Sequence, residues 1–258
     1  MIDKNSLLIT TFLVFAINLF SAIPMDSSKV NIHSYKKGIE ESAGLELTGE
    51  DVIDKYLETI GGKALIKSIT DRTTTMSGKM MGQTLSIIVQ QKAPNMLRQE
   101  INTGTIKQTI IFDGKQGIMI IGEEQSVLSG RELDKLKIEA QMNFLLDPRL
   151  YGVEPELIGI ELIDSVQCYN ISMNTEDSSN WNQFYEVESG LKIKEIKSVE
   201  TPQGFFEQES LYRNYREVEN LKFPFTITQT LGAQTIELSI EMIEINIGLQ
   251  DVLFEIPE

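Results

Sequence analysis

Beyond residue 72 the chain alternates apolar and polar side chains with a period of two almost to its end, the mark of strands rather than helices. Leu85, Ile87 and Val89 alternate with Thr84, Ser86 and Gln90, which predicts one buried and one wetter face. Ile106 to Phe112 and Gly117 to Ile121 flank Asp113-Gly114, a strong hairpin signal. In that hairpin Ile110 and Phe112 oppose Ile111, and Ile118 and Ile120 oppose Met119 and Ile121, so cover is expected on both sides. Further strands are expected around Leu157 to Ile163, Gln167 to Met173, Asn182 to Val187, Leu191 to Val199, Phe205 to Tyr215, Leu221 to Leu231 and Gln234 to Ile245. Turns at Ser189-Gly190, Pro202-Gln203-Gly204, Glu219-Asn220 and Gly232-Ala233 join the later ones into an antiparallel meander. In the last strand Ile236, Leu238, Ile240 and Met242 share one face while Ile243 and Ile245 fall on the other, which predicts a β-bulge near Met242 or Ile243.

Helical spacing occurs in two places. Thr48-Gly49-Glu50-Asp51 can satisfy the free amides of a helix start; Val52, Ile53, Tyr56, Leu57 and Ile60 follow, and Gly61-Gly62 supplies a stop. A short helical turn over Ala64 to Ile69 is expected next. Arg131 to Asp147 places Leu133, Leu136, Ala140 and Phe144 on one face, a helix lying over the sheet. Ahead of these elements Lys4 precedes an apolar run from Leu7 to Ile23, the shape of an export signal, with a retained anchor as the alternative. Pro24 to Leu47 is polar and aperiodic and reads as a linker, leaving 48–258 as one domain.

A net charge of -15 argues against nucleic acid, which needs a basic stripe. The single Cys168 allows no internal disulfide and is expected to be a small buried residue. The single His33 falls in the linker, which argues against a histidine-based triad or zinc site. Gly78 and Gly82 around Lys79 match no phosphate-binding loop, and Glu123-Glu124 reads as a solvated loop rather than half of an acid pair. No catalytic residue, metal or cofactor is expected. Trp181, Phe184, Tyr185, Phe205 and Phe206 could be plain core or could line a ligand pocket, and Met76, Met80 and Met81 carry the same ambiguity.

The helix Thr48 to Ile69, the turn Gln91 to Arg98 and the hairpin Phe112-Asp113-Gly114-Lys115 resemble, in that order along the chain, the LolA lipoprotein carriers and the outer-membrane lipoprotein-sorting proteins. Tyr212-Arg213-Asn214-Tyr215, Phe223-Pro224-Phe225 and Leu253-Phe254-Glu255-Ile256-Pro257 extend the resemblance to the C-terminus. It implies an α+β fold: a curved, open antiparallel sheet, a half barrel, whose concave face is covered by helices over an apolar cavity for lipid acyl chains. Leu85, Ile87, Val89, Ile110, Phe112, Met119 and Ile121 are then the concave-face candidates, and the lid candidates are helix Thr48 to Ile60 and helix Arg131 to Asp147 with its Leu133, Leu136, Ala140 and Phe144. Where the carriers have a lid-holding Arg between the Lys and Pro of the turn, this chain has Ala93, and Arg98 is the candidate substitute. The expectation is a non-enzymatic, monomeric periplasmic protein that binds lipid or lipoprotein acyl chains and sorts lipoproteins with membrane-associated transport proteins. The alternatives are an envelope sensor or protein-interaction module without lipid cargo, and a cofactor-free enzyme built from Tyr, Glu and Arg.

Overall fold

The computed structural model describes residues 47–80, 82–175, 180–201 and 204–257, so the expected signal and nearly all of the linker lie outside the described residues. Helix α1 (Gly49–Thr59) begins at a capping box, in which the Asp51 amide donates to the Thr48 hydroxyl and the Asp51 carboxylate accepts from the Thr48 amide. Its Gly49 packs against β-strand backbone so closely that a Cβ there would sit 2.6 Å from the Pro155 carbonyl oxygen. Gly61, at φ 138°, and Gly62, at φ 88°, end the helix in backbone that other residues rarely adopt. The short helix α2 (Lys63–Lys67) follows.

The rest of the described chain is dominated by thirteen strands in one antiparallel sheet. The first meander comprises β1 (Asp71–Met80), β2 (Gln83–Lys92), β3 (Met96–Asn102), β4 (Lys107–Phe112), β5 (Gly117–Ile121) and β6 (Glu124–Val127). The second comprises β7 (Val153–Ile163), β8 (Val166–Thr175), β9 (Asn180–Glu186), β10 (Lys192–Thr201), β11 (Gly204–Val218), β12 (Leu221–Leu231) and β13 (Gln234–Ile245). Pairing of β1 with β13 fuses the two meanders at the centre, and β6 and β7 are left as the edges. The sheet is therefore open, and the connection from β6 to β7 must cross from one edge to the other.

That connection corrects the single long helix expected over Arg131 to Asp147. Helix α3 (Gly130–Glu139) stops after ten residues, and two 3-10 turns, Phe144–Leu146 and Pro148–Tyr151, complete the crossing. Pro148 opens the second turn at its first helical position, where the missing N–H is no loss. Glu124, expected in a loop, instead opens the edge strand β6, whose side chains are all exposed and so carry no apolar alternation.

The bulge forms where the pattern requires it. Thr75 faces Met242 and Met76 faces Ile240, so Glu241 is the extra residue and both Ile240 and Ile243 reach the same face. One face of the sheet, with α1, α3 and the crossing segment over it, holds the core: Met76, Leu85, Ile87, Phe144, Trp181 and Leu238 belong to buried clusters on that side. The opposite face is covered locally where the C-terminal turn Asp251–Phe254 lies against β3, and Ile111 and Ile118 there are buried. Among the described residues no helix is long and apolar enough to cross a membrane.

Candidate functional site

Strand registers place the apolar candidates of the first meander on one continuous face. Ile87 pairs with Met76 and Ile101, Val89 with Thr74 and Gln99, Gln99 with Ile110, and Ile110 with Met119, so all point to the helix-covered side. Leu85 and Phe112 share that side and are fully buried, while Met119 and Ile121 are half-buried near the β6 edge. Against this face lies α3. Leu136 and Ala140 are buried and Leu133 is half-buried, in one cluster with Leu97, Ile110 and Phe112. Gly117 makes room for the contact, since a Cβ there would stand 2.7 Å from Leu136 Cδ2. Among the described residues no buried ionised side chain lies on this face of β2–β5; Gln91, Gln99 and Gln108 are its buried polar exceptions.

Phe144 and Arg98 stand elsewhere. Phe144 sits in the main core 6.2 Å from Trp181 and 5.7 Å from Tyr151, ring to ring, far along the crossing segment from Leu133. Arg98 points from the opposite face of β3, donating to Glu100 Oε1 and to the Leu253 carbonyl at 3.2 Å. It therefore holds the C-terminal turn and makes no contact with the lid.

The tie between sheet and crossing segment runs through a residue that the strand pattern concealed. Arg72, on the covered face of β1, donates to Gln91 Oε1, and the Gln91 amide donates to the Glu139 carbonyl at 3.3 Å, one of the free carbonyls at the end of α3. The Arg72 guanidinium also stacks 5.7 Å above the Phe223 ring, and burial pulls its pKa down to about 10. Ala93, in the turn between β2 and β3, packs against the same core and Lys92 bonds the C-terminal segment instead. An Arg at an inward strand position was the available signal for Arg72.

Across β9 to β12 the covered face has different chemistry. Gln183 pairs with Glu195, Glu195 with Ser210, and Ser210 with Gln229, a buried polar row; Lys197 and Gln208 form the next step along. The Lys192 ammonium meets Glu195 Oε2 at 3.2 Å with both side chains 1% exposed, and Gln183 Nε2 donates to the same oxygen at 3.0 Å. Tyr185 donates to Gln183 at 2.6 Å, and Lys192 also lies 4.5 Å above the Tyr212 ring. Helix α1 closes this wing from above with Tyr56, whose ring centroid is 5.2 Å from that of Tyr185. Burial raises the pKa of Tyr56, Tyr185, Tyr212 and Tyr215, so the four phenols stay neutral hydrogen-bonding groups. Among the described residues no cluster of three His, Cys, Asp or Glu could hold a metal ion.

A crevice of about 20 Å³, room for one water, lies where α1 and α2 meet the crossing segment, bordered by Leu57, Ile66, Arg72, Met142, Leu145 and Phe223. Of the aromatic candidates, Trp181 and Tyr185 are buried on the covered face, whereas Phe205 and Phe206 are exposed near the β10–β11 turn.

No family model and no curated protein matches the sequence. Solved structures do match the fold. A LolA superfamily protein of Nitrosomonas europaea superposes with a TM-score of 0.56 at 15% identity, over 81% of this chain and 98% of that one. The fold is LolA-like. An outer-membrane lipoprotein-sorting protein domain of Vibrio parahaemolyticus gives 0.52 at 9% identity, over 80% and 100% of the two chains. A DUF1329 family protein of Desulfovibrio piger gives 0.53 at 12% identity, over 80% and 95%. With identities this low the LolA-like likeness speaks for the architecture alone.

Proposed function

We propose that this protein is a non-catalytic, exported binder of lipid acyl chains, which it holds between the covered face of β2–β5 and helix α3. The observation that carries this reading is the light attachment of α3. Its apolar contact with the sheet runs through Leu136, Leu133 and Ala140, a sheet hydrogen bond from Gln91 reaches only its last turn at the Glu139 carbonyl, and its N-terminus has no side-chain cap. Each buried Leu contributes about 1.5–3 kcal/mol, so lifting the helix costs several kcal/mol, the size of gap that leaves a minor open state populated. An acyl chain recovers ~0.8 kcal/mol for each methylene it buries, so roughly eight methylenes offset the opening. Lipoprotein sorting in the envelope, in contact with membrane transport proteins, is the role that joins this chemistry to the LolA-like fold.

The reading is tested by delipidating the full chain and titrating it with a fluorescent fatty acid, alongside mass spectrometry of lipids that co-purify. Saturable uptake, weakened by Leu136→Asp, is expected. No uptake and no co-purified lipid would overturn it. That result would favour the second reading, a sensor or protein-interaction module, for which the part-exposed Ile158, Ile160 and Leu162 on edge strand β7 speak.

A further inference from the structure

The chain carries a net charge of -15, yet the buried ionisable side chains described on its covered face run the other way. They are Arg72, Lys192 and Lys197 against Glu195 alone. Burying a charge is unfavourable unless it is paired, and Glu195 is already taken by Lys192 and Gln183. Next to that pair, Lys197 faces Gln208 across strands, and Ser210, two residues along from Gln208, faces Gln229. The four form a block of hydrogen-bond donors on β10–β12, each 1–5% exposed, with neighbours about 5 Å apart as cross-strand pairs require. One further donor beside them is buried without a partner, the Trp181 indole nitrogen opposite Lys197; the Gln229 amide oxygen, also without a partner, is an acceptor and takes no part in holding an anion. An ammonium, two primary amides, a hydroxyl and an indole N–H all donate, which is the set that a carboxylate or phosphate needs.

We propose that the ligand is an anionic amphiphile, its carboxylate or phosphate set among Lys197, Gln208, Ser210 and Gln229 and its chain running over the apolar face of the first meander. This rests on the acyl-chain reading above and adds the head group to it. The apolar wing supplies most of the affinity. The polar block selects the charge.

The test is calorimetric titration of the delipidated full chain with four ligands of one chain length: dodecanoate, dodecyl phosphate, dodecanol and dodecyltrimethylammonium. One or both anions should bind about tenfold more tightly than dodecanol, the worth of a charge-assisted hydrogen bond, and the cation more weakly. Whichever anion is preferred separates a carboxylate from a phosphate head. Lys197→Met should abolish the advantage of the anions over dodecanol; should that variant fail to fold, the ranking on the native protein decides. Equal binding of anion and alcohol would overturn the head-group assignment and leave acyl-chain binding standing. Failure of all four to bind would overturn both.

Discussion

The two wings of the covered face obey the same strand alternation and are filled in opposite ways. In β2–β5 the inward positions carry Leu85, Ile87 and Val89, which join the main core, and Ile110 and Phe112, which lie in the small cluster under α3. In β9–β12 they carry Gln183, Glu195, Lys197, Ser210 and Gln229, under the better anchored α1 with its capping box and its Tyr56. An apolar wing tolerates a cover that comes and goes, because what returns to it needs no particular geometry. A polar wing does not: the buried Lys192 ammonium and Glu195 carboxylate hold only while each is met by its partner in a fixed place. The cover expected to move is therefore α3, and the part expected to recognise is the polar wing.

The comparison can be broken by substitution. Phe112→Ala in the apolar wing should be the most damaging, about 3–5 kcal/mol in urea unfolding, because it leaves a cavity in a fully buried site. A comparable loss, of about 3–5 kcal/mol, is expected from Glu195→Gln, which strands the buried Lys192 ammonium; replacing both with apolar residues should recover most of it. A harmless Glu195→Gln would show that water reaches the polar wing. Leu136→Ala should cost about 2 kcal/mol or more and speed amide exchange in α3 before the rest of the sheet, whereas the same exchange in α1 should be unchanged.

Smaller effects sharpen the contrast between the two covers. Thr48→Ala should cost about 1 kcal/mol by removing the α1 cap. The Thr48 hydroxyl and amide hold the Asp51 carboxyl below its usual value. The cap's contribution is thus complete above the carboxylate's unfolded pKa and is lost as pH falls through the lower folded one, so the variant's deficit should shrink in acid. The least effect is expected from Gln229→Leu, within about 1 kcal/mol of native or slightly stabilising, since its amide oxygen has no partner to lose. Finally, burial pushes the Cys168 thiol up to about 11, so a maleimide should leave it unlabelled at neutral pH until denaturant is added.

Much of this was legible along the chain. Periods of two and turn chemistry marked most of the strands, and the mismatch between Ile240 and Ile243 announced the bulge. The seven apolar strand candidates lie on one face because each inward side chain repeats at every second residue and the registers keep that phase across strands. Other features were hidden for physical reasons. Strand β6 is exposed throughout and shows no alternation. The helix period persisted past Glu139 because Phe144 happens to fall in phase with Ala140, although the chain there has already turned to cross the sheet. Lys197 and Gln229 looked like surface residues, since polar side chains in a strand ordinarily mark the wet face.

By itself the sequence determined the local periods, the turns, the start of α1 and the apolar wing, since each depends on residues only a few positions apart. The tertiary structure alone decided the rest. It joined β1 to β13, sent one connection across the whole face, tied α3 to Arg72 through Gln91, and gathered polar side chains from four strands into one dry row. Those contacts link residues far apart in the chain, and no local pattern encodes which face of a strand the fold will bury.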